Sequence, residues 1–366
     1  MISLSVVRTR IETAVALFLV AGLLAAVQAA EPLSPSPPWR ILDPATVLER
    51  IAFGSCLSQR RPQPIWKSAI AERPQLFLML GDNVYGDVAG ADMKELKEAY
   101  SIQAAHPDLA AARAAFPFLA TWDDHDYGRN DAGAEFPYKS AAARLFHKFW
   151  QTTLEPRADG GLYYSRIYGP EGRRVQIVML DMRSFRSPLK PKSPDFPHWG
   201  KYEPDDAADK TMLGTKQWAW LETELKRSAE LRLLVSGIQV LSDGHGFERW
   251  GNFPRERGRL IELIARTGAK GVIVLSGDRH MGAFYRRAVA GSYPLVELTS
   301  SSLNWSFGET KDTPTPELAS APYSRENFGS IGIDWTGRRV ELELKGVDGR
   351  RAAVMTIAFS DLGLDK

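Results

Sequence analysis

The sequence predicts a single α/β domain that combines βαβ units with antiparallel strands. Short continuous apolar runs, such as Leu76-Phe-Leu-Met-Leu80 and Gly271-Val-Ile-Val-Leu275, alternate with stretches whose apolar residues recur at helical spacing. Such runs mark strands buried on both faces. Residues 331–359 instead alternate apolar and polar side chains, broken by Trp335-Thr-Gly337 and Val347-Asp-Gly349. That is the pattern of a hairpin meander. No internal repeat or interior linker divides the chain, so both patterns belong to one domain.

In chain order, residues 50–54 read as a strand and 65–73 as a helix entered through Pro62 and Pro64. Residues 76–80 form a buried strand that stops at Gly81. Helices are expected at 91–100 and 108–115, a buried strand at 118–122 and a helix at 137–150. Residues 163–168 and 174–180 pair as a hairpin ending at Asp181. An amphipathic helix at 215–228 leads to a strand at 231–235, and a helix at 255–267 leads to strands at 271–275 and 295–299. Two stretches lack periodicity: 186–214, rich in proline and charge, and 304–327, rich in Ser, Thr and Pro. Long irregular segments of this kind are expected as lids or binding loops.

Lys and Arg total 46 against 44 Asp and Glu in 366 residues, a net charge of +2. That balance excludes the concentrated basic surface that nucleic acid requires. The N-terminus differs in kind. Arg8 and Arg10 precede an apolar run at 14–26 and then Val27-Gln28-Ala29. A basic flank, a short apolar core and small residues at its end make a secretory signal, residues 1–29, expected to be cleaved after Ala29 or Ala30; the alternative is an uncleaved N-terminal anchor. Thr9 separates the arginines, so the signal is not of the twin-arginine type. No later run is long enough to span a bilayer, so no transmembrane segment is expected after cleavage, and the protein is expected to be periplasmic or secreted. Residues 30–47 form a proline-rich spacer, and 48–366 the folded domain.

Cys56 is the single cysteine, which rules out a disulfide scaffold in an exported chain. Its two readings are a small buried hydrophobe and a metal-bound thiolate. Its position decides what to weigh with it. Apolar strands stop repeatedly at a glycine or a bulky residue and are followed at once by metal-capable side chains. The first gives Cys56, the second Asp82 and Tyr85, the third Asp123-Asp124-His125-Asp126, and a later one Asp278 and His280. In open sheets of parallel strands the carboxyl ends form the ligand edge, so these turns can converge. Three carboxylates beside an imidazole repel one another unless a cation neutralises them. The set Cys56, Asp82, Tyr85, Asp124, Asp278 and His280 joins thiolate, phenolate, carboxylate and imidazole. Phenolate and carboxylate suit ferric iron, and carboxylates alone suit calcium, magnesium or manganese. Two metals a few ångströms apart are common machinery for phosphoester hydrolysis.

Five blocks occur in order: Phe53-Gly-Ser-Cys56, Gly81-Asp-Asn-Val-Tyr-Gly-Asp87, Thr121-Trp-Asp-Asp-His-Asp-Tyr-Gly-Arg-Asn-Asp131, Leu180-Asp-Met-Arg-Ser-Phe-Arg186 and Leu275-Ser-Gly-Asp-Arg-His280. Over about residues 48–335 the chain resembles the PhoD-like alkaline phosphatase D family, a branch of the calcineurin-like metallophosphoesterases. The resemblance implies a four-layer sandwich, two mixed β-sheets flanked by helices, with a site holding Fe3+ and Ca2+; Zn2+ and Mn2+ are alternatives. It implies iron ligation by Cys56 and Tyr85, a bridging role for Asp82, and His125 with Asp126 as the catalytic pair. Asp124 stands where general metallophosphoesterases carry asparagine, Cys56 replaces their opening Asp-x-His, and Ser236-Gly-Ile-Gln239 lies where they carry a further histidine.

The expected reaction is phosphoester hydrolysis by a metal-bridging hydroxide, with His125 at the leaving-group oxygen. Arg183, Arg186 and Arg279 are the candidates to grip phosphate oxygens. Trp122 and Trp305 read as core or wall aromatics. The alternatives are a phosphodiesterase, including a phospholipase D-like activity, and a secreted binding protein whose metals only hold its loops.

Overall fold

The computed structural model describes residues 38–151 and 157–364. The secretory signal expected over residues 1–29 lies outside the described residues. Fourteen strands are present among them: β1 (Arg50–Gly54), β2 (Leu76–Met79), β3 (Phe118–Ala120), β4 (Tyr164–Tyr168), β5 (Val175–Met179), β6 (Lys190–Pro191), β7 (Tyr202–Glu203), β8 (Leu231–Ser236), β9 (Val272–Ser276), β10 (Gly282–Arg287), β11 (Leu295–Ser300), β12 (Asn327–Asp334), β13 (Arg339–Gly346) and β14 (Arg351–Ala358). The helices that concern the site are α1 (Ile65–Ala71), α2 (Lys94–Ala105), α3 (Pro107–Ala115), α4 (Asp124–Tyr127), α5 (Lys139–Trp150), α6 (Gly214–Leu225) and α7 (Pro254–Arg266).

The strands form two six-stranded sheets, ordered β14-β13-β12-β1-β2-β3 and β10-β11-β9-β8-β5-β4. β1, β2 and β3 run parallel, as do β5, β8, β9 and β11; the meander β12–β14 and the edge strands β4 and β10 are antiparallel. The fold class read from the sequence is therefore correct.

Why the apolar runs are continuous is visible in the packing. Ile51 and Phe53 of β1 face the second sheet, with Ile177, Met179, Leu233, Val235, Ile273 and Leu275 opposite them. Ala52 between them faces the helices, beside Trp66 of α1, Leu96 of α2 and Phe146 of α5. On the far side, Val178, Leu234 and Val274 meet Trp218 and Leu221 of α6 and Leu260 and Ile264 of α7. Alternate residues of one strand thus fill different cores. Three apolar cores separate four layers: helices, sheet, sheet, helices.

Three differences from the sequence reading concern the site. The strand expected at 118–122 ends at Ala120, because Thr121 and Trp122 turn away to start α4. β10 was not anticipated, since Gly282–Arg287 lacks a long apolar run. The spacer is part of the fold from Trp39 onward, where the indole donates to the Phe149 carbonyl at 2.8 Å and stacks on Trp150.

Candidate metal centre

Parallel strands end together, so the turns after β1, β2, β3, β8 and β9 meet at one edge. Backbone bonds lock them: Leu57 N donates to Asp82 O, Gly277 N to Gly237 O, and Leu303 N to Ser55 O, all near 3.0 Å. Glycines permit the approach. A β-carbon on Gly81, where φ is +112°, would lie 2.4 Å from Asp123 Cβ, and one on Gly237 would lie 2.8 Å from Asp123 Oδ1. Four donor residues sit in the left-handed region without being glycine: Cys56, Asp82, Asp278 and His280, with φ of 61°, 48°, 69° and 53°. Strain of this kind, about 1–3 kcal/mol per residue, persists where surrounding structure over-determines the backbone, and it clusters at functional sites.

The structure gathers the expected donors. Cys56 Sγ lies 3.5 Å from Asp82 Oδ2, which is 3.4 Å from the Tyr85 hydroxyl, which is 3.3 Å from His280 Nε2. The other Asp82 oxygen faces the turn of α4: His125 N lies 3.4 Å from Asp82 Oδ1 and 2.9 Å from Asp124 Oδ1. Asp82 therefore stands between two donor groups, Cys56–Asp82–His280 and Asp82–Asp124–His125. Asp124 also belongs to a group with Asp123 and Asp278, and to another with Asp131 and Glu248.

These residues fit a metal. Tetrahedral bonds of roughly 2.0–2.3 Å put neighbouring donors about 3.3–3.8 Å apart, the spacing of the Cys56–Asp82–Tyr85–His280 chain. Burial pushes the Cys56 thiol up to about 12 and the Tyr85 phenol well above its ordinary value. Asp82 is raised by burial, then by Asp124 and Cys56. Such groups release their protons to a cation and to little else. His280 is held neutral, with burial lowering it to about 4, while its Nδ1 donates to the Trp305 carbonyl and leaves Nε2 as an electron-pair donor.

The catalytic pair differs from the expectation. His125 and Asp126 are neighbours on α4, and adjacent helical side chains do not face each other. Asp126 instead turns inward and accepts from the backbone N–H groups of Asn83 and Asp123. The partner of His125 is Asp87, whose Oδ2 is 2.6 Å from Nδ1 and whose Oδ1 accepts from Asn130 N. Burial lowers the His125 pKa, but the carboxylates of Asp124, Asp82 and Asp87 outweigh it and raise it to about 11.

The arginines also differ. Arg183 and Arg186 are fully buried and do not reach the mouth. Arg183 pairs with Asp123 and, at 2.6 Å, with Glu248; Arg186 meets Glu248 at 2.8 Å. They offset the surplus of carboxylates beneath the site. Arg279 is buried against Asp312 at 2.7 Å, with its guanidinium over the Phe247 ring. Trp122 is core, while Trp305 is a wall of the site, 4.5 Å from the Tyr85 ring. Sequence reasoning missed Asp87, Asp131 and Glu248. Asp87 closes the Gly81–Asp87 block, so its signal was on the page; Glu248 had none, since its partners are more than sixty residues away.

The irregular segments frame this edge. In 186–214, Lys201 and Tyr202 reach Asp131, whose backbone N–H donates to Asp124 Oδ2 at 2.7 Å. In 304–327, Asn304 bonds both backbone groups of Ser58 beside Cys56.

Known proteins share this fold. A solved structure of PhoD superimposes with a TM-score of 0.68, at 19% identity, over 85% of this chain and 69% of that one. GAP50, the anchor in the inner membrane complex of Plasmodium, does so with a TM-score of 0.55, at 13% identity, over 86% and 89%. Since PhoD and an anchor of a membrane complex share the architecture, chemistry must be read from the site. The alkaline phosphatase D of Bacillus subtilis (strain 168) is 25% identical over 276 residues, 63% of this chain and 45% of the relative, so this chain spans about half of that protein's length. The family model for PhoD-like phosphatases matches residues 51–344, and with its strand-end donors brought together as described, the chain belongs to the PhoD-like phosphatase family.

Proposed function

We propose that this protein is a metal-dependent phosphoester hydrolase. The observation that carries the reading is Asp82 standing between two donor groups beside His125, an imidazole held by Asp87. Cys56, Asp82, Tyr85 and His280 would hold one cation, and Asp82, Asp124 and Asp278 a second. Thiolate and phenolate favour Fe3+ in the first, and the all-carboxylate set favours Ca2+ in the second. When bound, the cations supply an acidified water and neutralise charge on the phosphoryl oxygens.

The protein's own residues do the rest. Asp87 accepts from Nδ1–H of His125 and fixes the tautomer, so Nε2 is the nitrogen presented to substrate. The surrounding carboxylates favour the imidazolium. Cations on Asp82 and Asp124 offset part of that field, while Asp87 continues to support the charge. His125 Nε2–H donates its proton to the leaving-group oxygen as the phosphorus–oxygen bond breaks. The basic, apolar N-terminus supports export to the periplasm or medium, and among the described residues no helix is long and apolar enough to cross a membrane.

Steady-state turnover of 4-nitrophenyl phosphate and bis(4-nitrophenyl) phosphate at matched pH tests the reading. Wild type turns over at least one of them, and His125→Ala loses about 10²–10⁴-fold in kcat with its metal retained. No turnover of either ester by metal-replete wild type would favour a non-catalytic binding protein. A visible absorption band from a phenolate bound to iron, lost in Tyr85→Phe, is the expected mark of Fe3+ in the first group.

A further inference from the structure

Among the described residues the large apolar side chains left exposed are Ile41, Trp199, Phe307 and Val354. Two of the four, Trp199 and Phe307, belong to the two irregular segments that frame the metal centre. Phe307 is 62% exposed, yet one face of its ring is already used: it stacks on the His280 imidazole at 4.0 Å and 28°. The rest of the ring is largely exposed to solvent. Next to it, Trp305 stands edge-on at 6.3 Å from Phe307 and 4.5 Å from Tyr85, with the Arg61 guanidinium over its ring. An aromatic wall therefore runs outward from Tyr85 through Trp305 and His280 and ends in the exposed Phe307 ring.

Trp199, 43% exposed, stands edge-on to Phe247 at 4.6 Å, and the Lys311 ammonium is 5.9 Å from its ring. His198 and Thr313 meet at 3.3 Å, so the segment bearing Trp199 is tied to the one bearing Phe307. An exposed phenylalanine is unfavourable in water, and this one lies against His280, a donor of the first group, so an organic group on a phosphoester held at that centre could reach it. Rings prefer other rings in offset stacks, a preference that adds to the area they bury. An alkyl chain gains only the area.

We propose that Phe307 is a stacking platform for a planar aromatic ring in the organic group of the ester, so that the substrates of this site are aryl or nucleoside phosphoesters. The inference rests on the hydrolase reading and specifies its substrate class. Phe307 acts on binding, and it touches no reacting atom.

The test compares kcat/KM for phenyl phosphate and glycerol 1-phosphate in wild type, Phe307→Leu and Phe307→Trp. Dividing each variant by wild type on the same substrate cancels intrinsic reactivity. Leucine keeps apolar bulk and removes the plane, so the preference for the aromatic ester falls about 5- to 10-fold, chiefly through KM. Tryptophan restores it. An equal loss on both substrates, or an unchanged preference, overturns the proposal. Competition in unmutated protein is a second readout that needs no variant to fold: phenylphosphonate inhibits at least about fivefold more tightly than propylphosphonate if the platform exists, and equal inhibition overturns it. Absence of turnover by wild type on both of these esters and on bis(4-nitrophenyl) phosphate would instead sink the hydrolase reading.

Discussion

In the proposed reaction Asp87 is the side chain that holds Nδ1 of His125 and so sets which nitrogen the ring would present to substrate. Two acids could hold that ring, one next to it in sequence and one far from it. Asp126 is next in sequence, but α4 points it inward to accept from Asn83 N at 2.9 Å. Asp87 lies thirty-eight positions earlier and touches Nδ1 at 2.6 Å. The two acids should therefore fail differently. Asp87→Asn lowers kcat about 10- to 100-fold with a smaller change in KM. It also moves the alkaline limb of the pH–rate profile to lower pH. The Asp87 carboxylate raises the His125 pKa, so removing its charge lets the imidazolium lose its proton sooner. Asp126→Asn instead weakens the start of α4 and lowers stability, read by chemical denaturation. An unshifted pH profile in Asp87→Asn would remove Asp87 from its assigned place.

At the scale of elements, the strands aim and the turns hold. Gly81 ends its turn at φ +112° with Asp123 packed on its α-carbon. Gly81→Ala adds both backbone strain and a clash, and is expected to cost about 2–4 kcal/mol in denaturant titration. The hairpin of β4 and β5 is tied to the start of β8 by Glu230, which accepts from Arg174 Nη2 at 3.0 Å and from Arg174 N at 2.6 Å. Burial raises the Glu230 pKa, but the bonds to Arg174 outweigh it and hold the carboxyl below its ordinary value of 4.5. A depressed carboxylate stabilises the fold fully above that ordinary value and loses the contribution as pH falls through the lower, folded one. Glu230→Gln is thus about 1–2 kcal/mol less stable than wild type at pH 7, and the gap closes as pH falls below the ordinary carboxyl value of 4.5.

These elements also explain what the sequence could tell. Cys56, Asp82, Tyr85, Asp124, Asp278 and His280 were legible because each follows closely on an apolar run, and apolar runs in parallel sheets end on one edge. The roles of Arg183 and Arg186 were not, because their partner Glu248 comes from a distant loop and no local pattern joins them. Asp87 was hidden by a helix of four residues. Without α4, neighbours in sequence look like neighbours in space. The strand β10 was missed because only part of Gly282–Arg287 is buried and its end carries two arginines.

The whole molecule is a frame that brings two sheets to one edge and places acidic donors there in excess. Its core gains from apolar burial between four layers, while its active edge concentrates strain and like charge. A cation bound there stabilises the folded state in proportion to its occupancy. Chelation of the metal-replete protein should lower Tm by several degrees, and re-addition should restore it. Wild type with no response to chelation in either Tm or turnover would mean that the edge is held together without metal.

The central claim is that side chains from separate turns share an inorganic centre at this edge. An anomalous-scattering map from crystals of protein purified from its native compartment addresses it directly. The account predicts a strong peak within bonding distance of Cys56 Sγ, Asp82 Oδ2, the Tyr85 hydroxyl and His280 Nε2, with a second density beside Asp124. A map without a peak at those four atoms, in protein that hydrolyses phosphoesters, would contradict it.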